Sequence, residues 1–316
     1  MSAYDLALSV LRSAPITAVA RRLTRSKLRV LAYHGVGDPI GFAAQMAYLV
    51  EHFTPVDEAA VVAAVCDGAA LPDDAAWVTF DDGDPSVVTN GLPALEQHDV
   101  PATMFVCPGL IESGDPFWWR VTHWTTDNRP ARAAAIAGGS ADALTEFVKT
   151  IDDGERRAVV AELRDEMHED PPAAWRQLSD AELDRWTSAG MALGNHSWDH
   201  PCLDRCTPDD QRRQISDTDA WLGDRLGSAP LTFAYPNGNF SPIVDAHLAE
   251  LGYSVAALYD NKLTALDGPP LQLSRLRFEA DQPAERLAGV LSGAQPAIAG
   301  VVNRFGRRPH RTPGWG

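Results

Sequence analysis

The chain has 316 residues, 45% of them hydrophobic and 22% charged, with a formal net charge of −16. That balance excludes a wholly disordered chain, and the length supports one large domain or two modest ones. The negative field repels phosphate backbones, so no nucleic acid is expected as a partner.

Taken in chain order, residues 1–27 read as an N-terminal helical segment, with an amphipathic helix over 4–22. It lacks the basic start and clean apolar stretch of a secretory signal, and Arg21, Arg22 and Arg25 follow it rather than precede it. No run of roughly 18 apolar residues exists to span a bilayer. The expected location is therefore cytoplasmic. The helix reads first as an ordinary surface helix, and alternatively as a peripheral contact with the inner membrane face. Four cysteines, Cys66, Cys107, Cys202 and Cys206, are too few for a disulfide scaffold and fit a reducing compartment or scattered core thiols.

Short apolar runs then alternate with amphipathic stretches. Strands are expected at Leu28–Tyr33, Ala76–Phe80, Ala102–Val106, Met191–Gly194, Leu231–Tyr235, Ser254–Leu258 and Leu271–Phe278. Helices are expected near 41–52, 57–66, 86–98, 179–189, 208–226 and 241–251. Ser179 and Thr207 are capping hydroxyls followed by acids. Repeated strand–helix units imply a parallel sheet covered by helices, in a barrel or a doubly wound sheet, with chemistry at the C-terminal strand ends. The stretch 115–178 breaks the rhythm. It begins with Phe117, Trp118, Trp119 and Trp124 and runs into a charged segment, Glu155–Glu169, so it reads as a helical insertion packed on the barrel at 28–290. Residues 291–316 form a basic tail without periodicity.

Three segments carry chemistry. In Thr79-Phe80-Asp81-Asp82-Gly83 two carboxylates follow a strand directly, and two acids sharing one cavity do not both ionise freely unless a cation is present. His196-Ser197-Trp198-Asp199-His200-Pro201 also follows a strand, and its two histidines four apart suit an ion of borderline softness. Each pattern alone has an ordinary explanation, a solvated Asp-Gly turn or two surface histidines. Together they supply one aspartate and two histidines as ligands, with positions left open, and a spare aspartate as base. Phe233-Ala234-Tyr235-Pro236-Asn237-Gly238 is a rigid turn able to aim a backbone N–H. Trp118, Trp119 and Trp124 read equally as a sugar-stacking wall or as pins for the insertion, and Trp198 as core.

At these residues the sequence resembles the polysaccharide deacetylases, carbohydrate esterase family 4 with its NodB-homology domain, over roughly 28–278. TFDDG at 79–83, HSWDHP at 196–201, AYPNG at 234–238 and PATMFV at 101–106 stand in the family's order, and LAYHGV at 31–36 looks like the exopolysaccharide-type branch. The resemblance implies an α/β fold, a distorted (β/α)7-type barrel. It implies a metal-dependent hydrolase that removes N-acetyl groups from an acetylated amino sugar or polysaccharide. Asp81 matches the catalytic base, and Asp82, His196 and His200 match the metal ligands. Asn237 matches the backbone oxyanion donor, and Ser197 is expected to hold the loop by hydrogen bonding. Zn²⁺ is the expected ion by ligand type, with Co²⁺, Ni²⁺ or Mn²⁺ also suited.

Two departures stand out. The third motif's arginine is Ala234 here, so Asp81 is expected to lack that partner. The last motif's histidine is absent from LQLSRL at 271–276, which leaves the general acid open between His34 and Asp81 itself. Alternative activities are an N-acyl or cyclic-amide hydrolase or an O-acetyl esterase on a small molecule, or a barrel that binds glycan without turnover.

Overall fold

The structure is a computed structural model that describes residues 14–168 and 170–294. Of the expected helix at 4–22, residues 4–13 lie outside the described residues, as does the basic tail from 295 onward. In chain order the elements are α1 (Ala14–Thr24), β1 (Arg29–Tyr33), α2 (Pro39–His52), β2 (Thr54–Pro55), α3 (Glu58–Cys66) and β3 (Ala75–Phe80). There follow α4 (Leu92–Gln97), β4 (Ala102–Val106), α5 (Pro108–Ser113), α6 (Trp118–Asn128), α7 (Pro130–Ala137), α8 (Leu144–Val148), α9 (Asp153–Asp165) and α10 (Asp180–Ser188). The chain continues through β5 (Ala192–Asn195), α11 (Pro208–Leu226), β6 (Thr232–Ala234), α12 (Pro242–Leu251), β7 (Val255–Ala257), β8 (Leu276–Arg277) and α13 (Glu285–Leu291). No helix among the described residues is long and apolar enough to cross a membrane.

The strands form one parallel sheet in the order β7-β6-β5-β4-β3-β1-β8, with β2 beside the start of β3. The sheet is curled and covered by helices, a barrel of the (β/α)7 type. Its strands are almost wholly buried, as expected of parallel strands covered on both faces. Leu273 bridges to Ala257 of β7, and Leu276 and Arg277 pair with β1, so the segment 273–277 spans the gap between the two edges. The expected strand over 271–278 therefore shortens to two paired residues, because the segment crosses from one edge to the other and pairs with each only briefly.

Local chemistry explains most element ends. Ser179 Oγ accepts from the Glu182 N–H and the Glu182 side chain returns a bond to the Ser179 N–H, which makes a capping box. Thr207 caps α11 by accepting from the Asp210 N–H. The expected helix at 86–98 divides into a π-helical turn (Val87–Gly91) and α4. Pro93 has no N–H to donate within the second turn, and the chain widens just before it. Between β4 and α10, helices α6 to α9 build a small core of their own from Trp118, Val121, Leu144, Val148 and Leu163, and Cys202 of the HSWDHP loop region joins that core.

Gly194 lies where β5 passes closest to β4. A Cβ there would stand 2.5 Å from the Phe105 ring and 2.8 Å from Thr232 Oγ1. Gly194→Ala is expected to destabilise the fold by about 1–3 kcal/mol through overpacking. Urea unfolding checks this, and a loss under about 0.5 kcal/mol would contradict the close approach.

Candidate active site

Four chain segments leave the C-terminal ends of strands on one side of the sheet and carry the candidate residues. His34 follows β1, Asp81 and Asp82 follow β3, His196 follows β5, and Tyr235 to Asn237 follow β6. The backbone there is unusual: Asp82 (φ 72°), Ser197 (69°), His200 (58°) and Asn237 (57°) all lie in the left-handed region. Asp, Asn and His tolerate this region better than most residues, yet each such residue costs about 1–3 kcal/mol unless its surroundings enforce it.

In the histidine loop the surroundings do enforce it. The Asn195 Oδ1 accepts from the Ser197 N–H at 2.8 Å, while its Nδ2 donates to the Tyr253 hydroxyl at 2.7 Å and the Ile215 carbonyl at 3.1 Å. Ser197 Oγ accepts from the His200 N–H at 3.2 Å, the loop-holding role expected of it. Gln214 Oε1 accepts from the N–H groups of Trp198 and Asp199. Cys107 Sγ donates to the His196 carbonyl, and Trp118 Nε1 donates to the His200 carbonyl at 3.1 Å. Trp119 stands edge-on to the His200 ring, with centroids 4.6 Å apart, and stacks on Phe117. Trp118 and Trp119 thus pin the insertion to the histidine loop. Trp124 is half-buried against the insertion's own core.

Asp82, His196 and His200 converge. Asp82 Oδ1 lies 3.3 Å from His196 Nε2 and 3.3 Å from His200 Nε2, and the three ligand atoms lie within 4.8 Å of one another. Both imidazoles are buried, and the Asp82 side chain is 12% exposed. His196 Nδ1 is bonded to the Ala234 carbonyl at 2.8 Å, which requires a proton on Nδ1 and leaves the Nε2 lone pair facing Asp82. Among the described residues, Asp82 Oδ1 has no hydrogen-bond partner despite its enclosure. Ligand atoms about 2.0–2.1 Å from a tetrahedral ion stand roughly 3.3–3.4 Å apart. By donor type, and by the spacing of Asp82 from each histidine, the three residues fit a small divalent cation.

Asp81 sits beside this cluster, with Oδ2 4.0 Å from His196 Nε2, and the expectation that it lacks an arginine is corrected by the structure. Arg275, in the segment that bridges the sheet's edges, grips Asp81 through two parallel bonds, Nη1 to Oδ1 at 2.6 Å and Nη2 to Oδ2 at 2.7 Å. Its Nε donates to the Leu258 carbonyl, a further bond reaches Thr79 Oγ1, and the guanidinium lies over the rings of Phe105 and Tyr259. Both partners are buried. The sequence held one signal for this. Arg275 falls on the same alternating face as the buried Leu271 and Leu273, inside a run expected to be a barrel strand. Asn195 and Gln214, which hold the histidine loop, carried no comparable signal.

The site's titrations follow from these contacts. Burial pushes the Asp81 carboxyl up, but the Arg275 charge, His196 and the Arg275 hydrogen bonds outweigh it, and the net pKa lies below the usual carboxylate value. Burial also opposes charge on Asp82, and His200, His196 and His34 together hold its pKa far below the usual range. At His196 the two carboxylates overcome burial and raise the pKa; at His200 burial prevails and pushes it down to about 3. His34 is half-buried, edge-on to Tyr259 with centroids 5.4 Å apart, and near enough for its charge to act on both aspartates. Asn237 reaches the histidine loop through its side chain, with Nδ2 3.5 Å from Cys202 Sγ. Cys202 and Cys206 are free, buried thiols, as expected.

Fold and site together define a parallel (β/α) barrel whose strand ends gather a His–His–Asp cluster able to hold a cation beside a second, arginine-bound carboxylate. The family model for polysaccharide deacetylase matches residues 68–256, more than half of the chain, and the chain belongs to that family. His34 and Arg275 lie outside the matched stretch. The structure is similar to the deacetylase PplD of Streptococcus pyogenes (TM-score 0.61, 18% identity, 84% of this chain and 98% of that one covered). It is similar also to IcaB from Ammonifex degensii (TM-score 0.58, 18% identity, 84% and 97%) and to the polysaccharide deacetylase BC0361 of Bacillus cereus (TM-score 0.56, 17% identity, 84% and 69%). At such identities the likeness is one of fold. No curated protein matches the sequence.

Removing Arg275 would leave a buried carboxylate unpaired. Arg275→Met is expected to cost the metal-free protein about 3–5 kcal/mol at pH 7. Because Asp81 is depressed in the folded state, its contribution in the wild type is complete above the unfolded value of about 3.9 and is lost as pH falls through the lower folded value. In the variant the unpaired charge disappears on protonation, so the penalty shrinks as the pH falls towards 4. Urea unfolding at both pH values checks this, and an equal penalty at each would contradict it.

Proposed function

We propose that the chain is a metal-dependent hydrolase that removes an N-acetyl group from an acetylated amino sugar or polysaccharide. The observation that carries this reading is the convergence of Asp82 Oδ1, His196 Nε2 and His200 Nε2, with Asp81 at their side. Family membership supports the substrate class, and the likeness to IcaB is consistent with the exopolysaccharide-type branch.

Asp82, His196 and His200 would hold a divalent ion, and the mixed nitrogen and oxygen donors suit Zn²⁺ first. When bound, such an ion supplies a Lewis acid that polarises the acetyl oxygen and makes water acidic enough to react near neutral pH. The chain's own residues supply the rest. Asp81, kept ionised by Arg275, accepts the proton of the attacking water. Arg275 also fixes the plane of that carboxylate, since the paired bonds leave it no free rotation. The backbone N–H of Asn237 donates to the acetyl oxygen as negative charge builds on it. His34, half-buried at the end of β1 and within electrostatic reach of both aspartates, gives a proton to the departing amine. Acetate and a free amine result.

Asp81→Asn keeps the three ligands and removes the base, at a cost in folding stability because the buried Arg275 loses its counter-charge. It is expected to bind one equivalent of Zn²⁺ as the wild type does, while acetate release from N-acetylglucosamine oligomers falls about 10²–10⁴-fold. His196→Ala is expected to lose the metal as well. Near-normal turnover by Asp81→Asn would remove the base from this reading.

A further inference from the structure

The helical insertion touches the histidine loop at more points than packing alone requires. Asp199, between the two histidines, is held by α9: Arg157 Nη1 and Nη2 reach its two carboxylate oxygens at 2.6 and 2.8 Å. Arg157 is itself aimed by Asp153, whose Oδ2 accepts from Nε at 2.6 Å, and the buried Arg156 holds the other oxygen of Asp153. From the opposite side α11 reaches the same residue, with Gln214 Nε2 donating to Asp199 Oδ1 at 2.9 Å. Gln214 also takes the Trp198 and Asp199 N–H groups. Asp199 is thus where two helices, from different parts of the chain, grip a loop whose backbone is in the left-handed region at Ser197 and His200.

We propose that Arg157 is a positioning residue for the cation cluster. Acting through Asp199, it holds the strained loop in the one conformation in which His196 Nε2 and His200 Nε2 both face Asp82 Oδ1. The inference rests on the cation reading given above. Its physical basis is that groups behind metal ligands set ligand orientation, and that their loss lowers affinity. The Arg157 side chain is 41% exposed, but its partners Asp199 and Asp153 are only 20% and 8% exposed, so its removal lowers folding stability as well. Metal affinity and the Co²⁺ spectrum are the readouts that a merely structural staple would not move. A bidentate fork is required, so lysine should serve only in part.

The test measures Zn²⁺ affinity by chelator competition and the visible absorption of the Co²⁺ form. Thermal unfolding of the metal-free protein is followed alongside. The proteins are the wild type, Arg157→Ala, Arg157→Lys and Asp199→Asn, with Arg164→Ala as control. Arg164 lies on the same helix but pairs with Asp115, which is not a residue of the histidine loop. Expected is a loss of roughly 10–100-fold in Zn²⁺ affinity for Arg157→Ala and Asp199→Asn, with an altered Co²⁺ spectrum, a smaller loss for Arg157→Lys and none for Arg164→Ala. Affinity of Arg157→Ala and Asp199→Asn within about threefold of wild type, whatever happens to their unfolding temperature, would overturn the proposal and leave a structural staple. A wild type that binds neither ion would instead overturn the cation reading itself.

Discussion

A buried guanidinium and a buried carboxylate, Arg275 and Asp81, must be kept together for the rest of this molecule to stand. Neither is acceptable alone in the barrel interior, where an uncompensated charge costs several kcal/mol. Their two parallel bonds, with the Leu258 carbonyl, Thr79 hydroxyl and two aromatic faces around the guanidinium, satisfy both groups. Arg275 stands in the segment that bridges β7 to β1, so the pair joins the end of β3 to the stretch that spans the sheet's edges. One contact therefore serves the closure of the sheet and the charge state of the carboxylate beside the histidines.

The Asp82–His196–His200 cluster depends on a second constraint, backbone strain. Its loops turn through left-handed residues at Asp82, Ser197, His200 and Asn237, a conformation that the fold must enforce from behind. For the histidine loop, Asn195, Gln214, Ser197 and Trp118 supply that enforcement by hydrogen bonds to loop backbone, and Arg157 by its hold on the Asp199 side chain. Several of these groups come from helices far away in sequence. The insertion between β4 and β5 is consequently joined to the site by its aromatic residues as well as by its charges.

The fold was readable because a parallel barrel writes itself locally. Each buried strand is a short apolar run, and each helix start at Ser179 and Thr207 carries its own cap. The convergence of Asp82, His196 and His200 was legible because chemistry fixes their types and strand ends fix their places. What escaped was long-range. The partner of Asp81 lies almost two hundred positions away on the closing segment, and the position where the family often has an arginine is Ala234. The extent of the last strand was also misjudged, since crossing between sheet edges leaves no trace in apolar periodicity. The π-helical turn before Pro93 and the grip of Arg157 on Asp199 depend on packing that a linear pattern does not encode.

The most direct measurement is acetate release from an N-acetylglucosamine oligomer, together with metal content, on the same protein before chelation, after chelation and after return of one equivalent of Zn²⁺. The account predicts one ion per chain, loss of release on stripping and recovery at one equivalent. Release that persists after the metal is removed, or a protein that takes up no ion, would contradict it.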